Sequence, residues 1–226
     1  TDLALPAGAT MLSSANDALL VGTRDLGVAR FRGNETQPSG WLRRKQMVAD
    51  AMTLTVACAR PDDCWIATGT RNAGHWNGDR FVPGGADQVA LAVVRDPDGP
   101  LYALHRASEG AAIELSKIEG ATWTPIAKLA LTTPEGAPEI SFARVAPNGA
   151  LWLGVRYRDG MERRPYGIAV VDPDTGKTTH YTKDTKDAKV PFPVGAIDAV
   201  LARDASWWFA TNEGVARVAG SKLSQW

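Results

Sequence analysis

Residues 193–218 read PVGAIDAVLARDASWWFATNEGVARV, and this stretch decides the fold. It contains two short apolar runs, Ile197–Leu201 and Ser206–Thr211, with turn residues rich in Asp and Ser between them. A second turn that contains a glycine leads into a third run, Gly214–Val218. Short apolar runs joined by turn residues of this kind predict antiparallel β-hairpins.

The same pattern occurs four more times along the chain. The large residue of the second run recurs at intervals of about 37 to 56 residues, as Leu20, Trp65, Tyr102, Trp152 and Trp208. A fourth, more polar run ends each unit. Four runs per unit, without a helical hydrophobic period, predict an all-β fold: a β-propeller of five four-stranded blades. A β-sandwich is the alternative, although a sandwich has no reason to repeat one strand motif five times.

We predict one propeller domain over residues 1–226, with strand units at about 9–45, 52–82, 87–126, 138–182 and 195–226. The chain finishes on a fourth run, Ser221–Trp226, which lacks a blade of its own if every fourth run is the innermost strand of the next blade. We therefore expect this C-terminal strand to pair with the N-terminal blade and to close the ring. The alternative is that the five repeats are part of a larger ring.

The composition excludes several classes of protein. The 226 residues include 25 Lys and Arg against 25 Asp and Glu, and 44% of them are hydrophobic. A zero net charge argues against a nucleic-acid-binding protein, because phosphate contacts need a basic excess. The chain is too apolar to be disordered, and it has no apolar run of about 18 residues that could span a membrane.

Three stretches resemble the propeller repeat of two-component regulators: residues 193–218, Leu5–Gly8 with Leu19–Thr23 and Gly27–Arg30, and Pro147–Gly154. The resemblance covers essentially the whole chain and implies a non-catalytic sensor or protein-interaction module, periplasmic or extracellular, often within a longer sensor chain. It brings no catalytic residues and no cofactor. No secretory signal begins at Thr1, which leaves open a mature product, an excised domain or a cytoplasmic protein.

The two cysteines, Cys58 and Cys64, flank a predicted turn and face each other across a hairpin. A disulfide between them is geometrically feasible, and in the family context it suggests an oxidising compartment. Two buried thiols are the alternative. We expect no metal, because the three histidines lie in different units and because Asp96–Gly99 and Asp172–Gly176 have the composition of plain turns.

An enzyme is not expected. A five-bladed glycoside hydrolase, the second alternative function, needs two facing carboxylates on inner strands. The runs that we expect to be innermost carry no Asp or Glu apart from Asp79 at the start of one: Trp41–Arg43, Asp79–Val82, Trp123–Pro125, Lys177–Tyr181 and Ser221–Trp226. Trp41, Trp123 and Trp226 on these runs suggest a carbohydrate-binding lectin as the first alternative.

The most distinctive segments lie in the fourth unit, where two long connections, residues 156–166 and 182–193, are expected to emerge on one face. Arginine and tyrosine are frequent in protein contacts. We therefore predict a partner-binding site formed by Arg156, Arg158, Arg163, Arg164, Tyr166, Lys183, Lys186 and Lys189. The partner would be another protein, with a small ligand or glycan as the alternative. A further alternative is that these segments are solvated mixed-charge loops without a binding role.

Overall fold

The computed structural model describes residues 6–7, 9–15, 18–23, 26–33, 35–43, 55–60, 62–68, 73–78, 80–84, 88–95, 99–107, 111–182, 185, 193, 195–201, 204, 206–211, 213–220 and 222–226. Within these residues the chain forms twenty β-strands and no helix. The strands form five antiparallel sheets of four strands each. This arrangement confirms the predicted all-β propeller with five blades.

Each blade consists of four strands that are consecutive in the sequence. Blades one and two contain β1 (Ala9–Ala15), β2 (Ala18–Thr23), β3 (Gly27–Arg32), β4 (Gly40–Arg43), β5 (Thr55–Arg60), β6 (Asp63–Ala67), β7 (Gly74–Trp76) and β8 (Phe81–Pro83). Blade three contains β9 (Val89–Arg95), β10 (Leu101–Arg106), β11 (Glu114–Glu119) and β12 (Thr122–Lys128). Blades four and five contain β13 (Glu139–Val145), β14 (Leu151–Asp159), β15 (Glu162–Val171), β16 (Thr178–Thr182), β17 (Ala196–Leu201), β18 (Trp207–Thr211), β19 (Gly214–Ala219) and β20 (Lys222–Gln225).

The C-terminal strand belongs to blade five. β20 pairs antiparallel with β19, with Val218 opposite Leu223, and blade one is complete with its own β1 to β4. The prediction that Ser221–Trp226 joins the N-terminal blade is therefore wrong. The physical reason is local: Gly220, at a φ of 58°, lies in a short turn that returns the chain directly along β19, and a short loop costs little entropy to close.

The contacts divide the chain into two compact units, residues 1–109 with 116–125 and residues 110–115 with 126–226. In the first unit the first strands of the blades, β1, β5 and β9, lie next to one another, and in the second unit β13 lies next to β17. The fourth strand of each blade lies at the opposite edge of its sheet. The expectation that the fourth runs are innermost is therefore wrong as well.

The core of the first unit is built by strands whose two faces contact different blades. On β6, Cys64 and Ile66 are fully buried in a cluster with Leu20 of blade one. The intervening Trp65 and the following Ala67 pack into a second cluster with residues of blade three. The alternation of side chains along a strand thus places blade two between two apolar layers.

The core of the second unit follows the same rule. The rings of Trp152 on blade four and Trp207 on blade five stack with their centroids 4.4 Å apart and an interplanar angle of 10°. Phe209, two residues further along β18, is fully buried and lies 6.4 Å from Phe142. Trp208, between them in the sequence, is on the other face and is 38% exposed.

Cys58 and Cys64 form a disulfide in the structure. They lie directly opposite each other on β5 and β6, so that the bond joins two strands that are already hydrogen-bonded neighbours. Cys64 has no exposed surface. The disulfide therefore fixes the hairpin of blade two from its buried side.

We expect the Cys58→Ala/Cys64→Ala variant to have a free energy of unfolding about 2 kcal/mol below that of the oxidised protein, because an open hairpin gains chain entropy on unfolding. Urea unfolding followed by tryptophan fluorescence measures the difference. The matched control is the parent protein in reductant, which should fall to the level of the variant. Equal stability of the oxidised parent and the variant would contradict the expectation.

Candidate binding site on blade four

The segment predicted as a long connection in blade four is a β-hairpin. β14 and β15 remain paired up to Asp159 and Glu162, which are opposite each other. A turn of Gly160 and Met161 joins them, with Gly160 at a φ of 59° that favours glycine. Met161 at the tip is fully exposed. Residues 156–166, which we call the arginine hairpin, therefore lie on a regular, hydrogen-bonded scaffold.

A bulge at the base of the arginine hairpin determines which side chains share a face. Val155 is opposite Gly167, but the next residue, Arg156, is opposite Pro165, so that Tyr166 is the additional residue on β15. Proline has no N–H group to donate to the ladder, and bulges are one of the places where a sheet tolerates it. The bulge shifts the alternation of β15 by one residue.

One face of the arginine hairpin gathers three guanidinium groups around a single carboxylate. The Glu139 side chain accepts hydrogen bonds from Arg156 Nε at 3.2 Å and from Arg163 Nε at 3.0 Å. The Arg158 guanidinium lies 3.8 Å from the other Glu139 oxygen. The pairing explains this convergence, because Glu139 is opposite Arg156, and Arg158 is opposite Arg163.

The other face carries Arg164 between two acidic groups. Its guanidinium lies 2.9 Å from the Asp159 carboxylate and 3.3 Å from that of Glu162. The rings of Tyr157 and Tyr166 meet edge to face, with centroids 6.2 Å apart. Tyr157 is opposite Arg164, which places both aromatic rings on the side of the sheet away from Glu139.

The two faces differ in charge. The Glu139 face has three arginines against one carboxylate, an excess of two positive charges, whereas the Arg164 face has one arginine against two carboxylates. Burial lowers the pKa of the Arg156 guanidinium, and the positive charge of Arg163 adds to the lowering, while Glu139 opposes both. Glu139 is only 19% exposed, but Arg158 and Arg163 are each 54% exposed. The arginines that carry the excess positive charge are thus exposed to solvent.

The structure places five of the eight predicted site residues. Arg156, Arg158 and Arg163 lie together on one face, and Arg164 and the half-buried Tyr166 lie on the other. Lys183, Lys186 and Lys189 lie outside the described residues. Sequence reasoning missed Glu139, which is 17 positions before Arg156 and has no motif that distinguishes it. Only the pairing of β13 with β14 identifies it.

The first residues of the connection before Glu139, Leu129 and Ala130, are held by packing and hydrogen bonds. The Leu129 side chain is buried, and its backbone N–H donates to the Ile113 carbonyl at 2.8 Å. His180 on β16 contacts the Ala130 carbonyl at 2.9 Å. These contacts hold Leu129 and Ala130 in place on the side of blade three and β16.

Two carboxylates lie on first strands of the second unit, Glu139 on β13 and Asp198 on β17. The expectation that inner strands lack carboxylates failed because it assigned the wrong runs to the inside. Both groups are bound by arginine: Glu139 as described above, and Asp198 by Arg144 at 2.9 Å. The residues that the structure describes contain no cluster of three potential metal ligands.

Of the two acidic turns, Asp172–Gly176 is stabilised by the side chain of its first residue, Asp172. The Asp172 carboxylate accepts hydrogen bonds from the backbone N–H groups of Asp174 at 2.9 Å and Thr175 at 3.2 Å. These bonds lower the pKa of Asp172, since they stabilise its charged form. Residues 96–98 of the other turn lie outside the described part of the chain.

The three tryptophans on or next to the fourth strands have different surroundings. Trp123 packs against Trp65 and His105, with ring centroids 5.7 and 5.2 Å apart. Trp41 packs against the buried apolar residues of blade one. Trp226 is 66% exposed and stacks on Trp208 at 5.7 Å, on the face of blade five away from the core.

No protein-family model and no curated protein matches the sequence. Among solved structures, the fold is similar to the extracellular domain of BT4673, a proposed one-component system of B. thetaiotaomicron, with a TM-score of 0.64 and 11% identity over 97% of this chain and 28% of that one. It is also similar to the GH74 xyloglucanase from Xanthomonas campestris, with a TM-score of 0.60 and 12% identity over 93% and 36% of the two chains. A third similar structure is YCF48 bound to D1 peptide, with a TM-score of 0.51 and 16% identity over 98% and 82%.

The TM-scores show a shared propeller fold, and the sequence identities are too low to show a shared function. The chain spans about a quarter to a third of the first two proteins. The resemblance to propellers of bacterial regulatory systems is supported at the level of the fold. No helix among the described residues is long and apolar enough to cross a membrane.

We expect the Glu139→Gln variant to lower the free energy of unfolding by about 1 to 2 kcal/mol, because it leaves three guanidinium groups without their common carboxylate. Chemical denaturation of the parent and the variant measures this loss. The matched control is Glu162→Gln, whose side chain is 73% exposed and which pairs with Arg164 alone among the arginines that the structure describes; it should change stability by less than about 0.5 kcal/mol. A Glu139→Gln loss no larger than that of the control would refute the role of Glu139.

Proposed function

We propose that this chain is a non-catalytic binding module that acts outside the cytoplasm and contacts a protein partner through the arginine hairpin. The observation that supports the proposal is the Glu139 face, where three arginines, two of them half-exposed, share a single carboxylate and leave an excess of positive charge. Arginine at such a position pairs with carboxylates of another protein at low entropic cost.

The charge excess indicates the chemistry of the partner. An acidic segment would place its carboxylates opposite Arg158 and Arg163, which project near the exposed tip of the hairpin. Electrostatic complementarity of this kind contributes to association rate and specificity as well as to affinity. Tyr157 and Tyr166 on the opposite side offer a second, less charged contact surface.

Two observations support a location outside the cytoplasm. The Cys58–Cys64 disulfide is of a kind that persists in oxidising compartments. The similar structure from B. thetaiotaomicron is an extracellular domain. That YCF48 was solved with a peptide also supports a binding role, since it is a chain of similar fold and comparable length.

A glycoside hydrolase is less well supported, in spite of the likeness to the xyloglucanase. A glycosidase needs one carboxyl group that can donate a proton and a second one that is free to attack or to activate water. Glu139 and Asp198 are each ion-paired with arginine, Glu139 with Arg156 and Arg163 and Asp198 with Arg144, so that neither carboxylate stands free in the way that a nucleophile or general base must. The absence of catalysis remains part of the proposal.

The proposal is tested with the Arg158→Gln/Arg163→Gln variant. We expect this variant to bind a fluorescein-labelled polyglutamate peptide about five- to tenfold more weakly than the parent, because two exposed cationic partners are lost. Fluorescence anisotropy at two salt concentrations measures the affinity, and the parent should show the steeper salt dependence. Arg164→Gln, on the other face, is the matched control and should bind like the parent.

The outcome that would contradict the proposal is equal peptide binding by the parent and the Arg158→Gln/Arg163→Gln variant. Capture of proteins from an extract of the source organism, identified by mass spectrometry, then supplies the natural partner. A genuine partner should be depleted with the double variant and retained with Arg164→Gln. Any activity on glycosides that is lost in Glu139→Gln would count against the non-catalytic assignment.

Carbohydrate binding is a second candidate, at the exposed Trp208–Trp226 pair of blade five. The two rings are nearly parallel, with an interplanar angle of 13°, and Arg217 lies 5.5 Å above the Trp208 ring. If this pair is a sugar platform, Trp226→Ala should abolish binding on a glycan array while leaving the unfolding midpoint within a few degrees. Leu26→Ala, another exposed apolar residue, is the control and should have no effect. An array without signal for the parent protein removes this candidate.

A further inference from the structure

The first unit contains a cleft of about 580 Å³ that plays no part in the proposed function. Its walls come from the β5–β6 hairpin and β7 of blade two on one side, and from the ends of β9 and β11 and the start of β10 of blade three on the other. The volume lies in the range of sites for small molecules. We call it the Arg95 cleft, after the arginine in its wall.

The blade-two wall of the Arg95 cleft is fixed by paired groups. His75 Nε2 lies 2.6 Å from the Asp63 carboxylate, and the Arg60 guanidinium lies 3.8 Å from the same group. The Trp65 ring packs between His75 and Trp123, with centroids 5.7 Å from each. The Asp63 carboxylate is therefore occupied by its neighbours, and the aromatic surface beside it is held in place.

The hairpin that carries Asp63 and Trp65 is also the one that the disulfide joins. Cys58 and Cys64 alternate along β5 and β6 with the cleft residues Ala57, Ala59 and Asp63, so that the disulfide faces away from the cleft. It restrains the wall without occupying it. A site whose walls are held in this way loses little conformational entropy when a ligand binds.

The blade-three wall contains two cations, Lys117 and Arg95, and among the described residues only Lys117 has a charged partner. Lys117 Nζ lies 2.7 Å from the Glu119 carboxylate, and this contact lowers the pKa of Glu119 through a hydrogen bond and the positive charge. Arg95, by contrast, has no ion pair or side-chain hydrogen bond with any residue that the structure describes, and it is half-buried. A partly desolvated guanidinium without an acceptor favours binding of an anion.

The rest of the lining is apolar. Trp65, Leu101 and Ile118 are nearly buried and contribute carbon surface to the cleft. A ligand that satisfies both features carries an anionic group at one end and a hydrophobic body at the other. The planar guanidinium matches a carboxylate in a bidentate geometry, which makes a carboxylate the preferred anionic group.

We propose that the Arg95 cleft binds a small organic carboxylate with an apolar body, with Arg95 paired to the carboxylate and Trp65, Leu101 and Ile118 in contact with the body. The site is independent of the arginine hairpin. It would make the protein a receptor for a small molecule in addition to its role in protein contact.

The experiment compares two probes of the same shape with the full chain: 4-phenylbutyrate and its neutral amide, 4-phenylbutyramide. We expect the acid to bind in isothermal titration calorimetry and the amide to bind at least about tenfold more weakly, since only the acid can pair with Arg95. Arg95→Gln should reduce acid binding to the level of the amide. Arg80→Gln, an exposed arginine of blade two that does not line the cleft, is the matched control and should bind like the parent.

Each contrary result is decisive. Failure of the parent to bind the acid, equal affinities for acid and amide, or unchanged acid binding by Arg95→Gln would each overturn the proposal. Urea unfolding of Arg95→Gln shows that a loss of binding is not a loss of folding. Maltose is included as a neutral sugar, and binding of maltose in place of the acid would assign the cleft to a different class of ligand.

Discussion

A propeller blade is a thin sheet with apolar side chains on its faces, and the need to cover those faces against a neighbouring blade governs the core of each unit. β6 shows it most clearly, because Cys64 and Ile66 pack toward blade one while Trp65 and Ala67 pack toward blade three. A four-stranded sheet with apolar side chains on both faces has no stable isolated form, since each uncovered face would cost the free energy of exposing carbon surface. Because the blades repeat, the face of one blade can be buried against the face of the next.

The same constraint explains where charge can accumulate. In the middle of a strand, alternate residues are committed to one apolar layer or the other. The apolar layers between blades do not extend to the strand ends. There, two strands can remain paired without contributing side chains to either layer. The arginine hairpin extends β14 and β15 beyond the core, and there Arg158 and Arg163 can be opposite each other because Glu139 lies between their charges. The Arg95 cleft likewise lies at strand ends, where Asp63 and Lys117 border apolar surface.

Rigid presentation is the common property of the two candidate sites. Backbone pairing fixes the arginine hairpin, and the Cys58–Cys64 disulfide with the packed Trp65 fixes the wall of the cleft. Binding groups held by regular strands lose less entropy on association than those on long loops. In this protein the strands themselves carry the binding groups, which differs from the usual pattern of functional loops on an inert scaffold.

By itself, the sequence determined the five units, their turns and the apolar alternation, because these depend on neighbours a few residues apart. It also identified Cys58 and Cys64 as opposite partners and the arginines of blade four as a cluster. The tertiary structure decided between the two pairings of the last run, which satisfy the same apolar alternation, and the short turn at Gly220 gives the pairing with β19. It also decided that Tyr166 occupies a bulge, that Glu139 lies at the centre of three guanidinium groups, and that Arg95 faces a cleft. These features depend on register between strands and on packing between blades, and no local pattern in the sequence encodes either one.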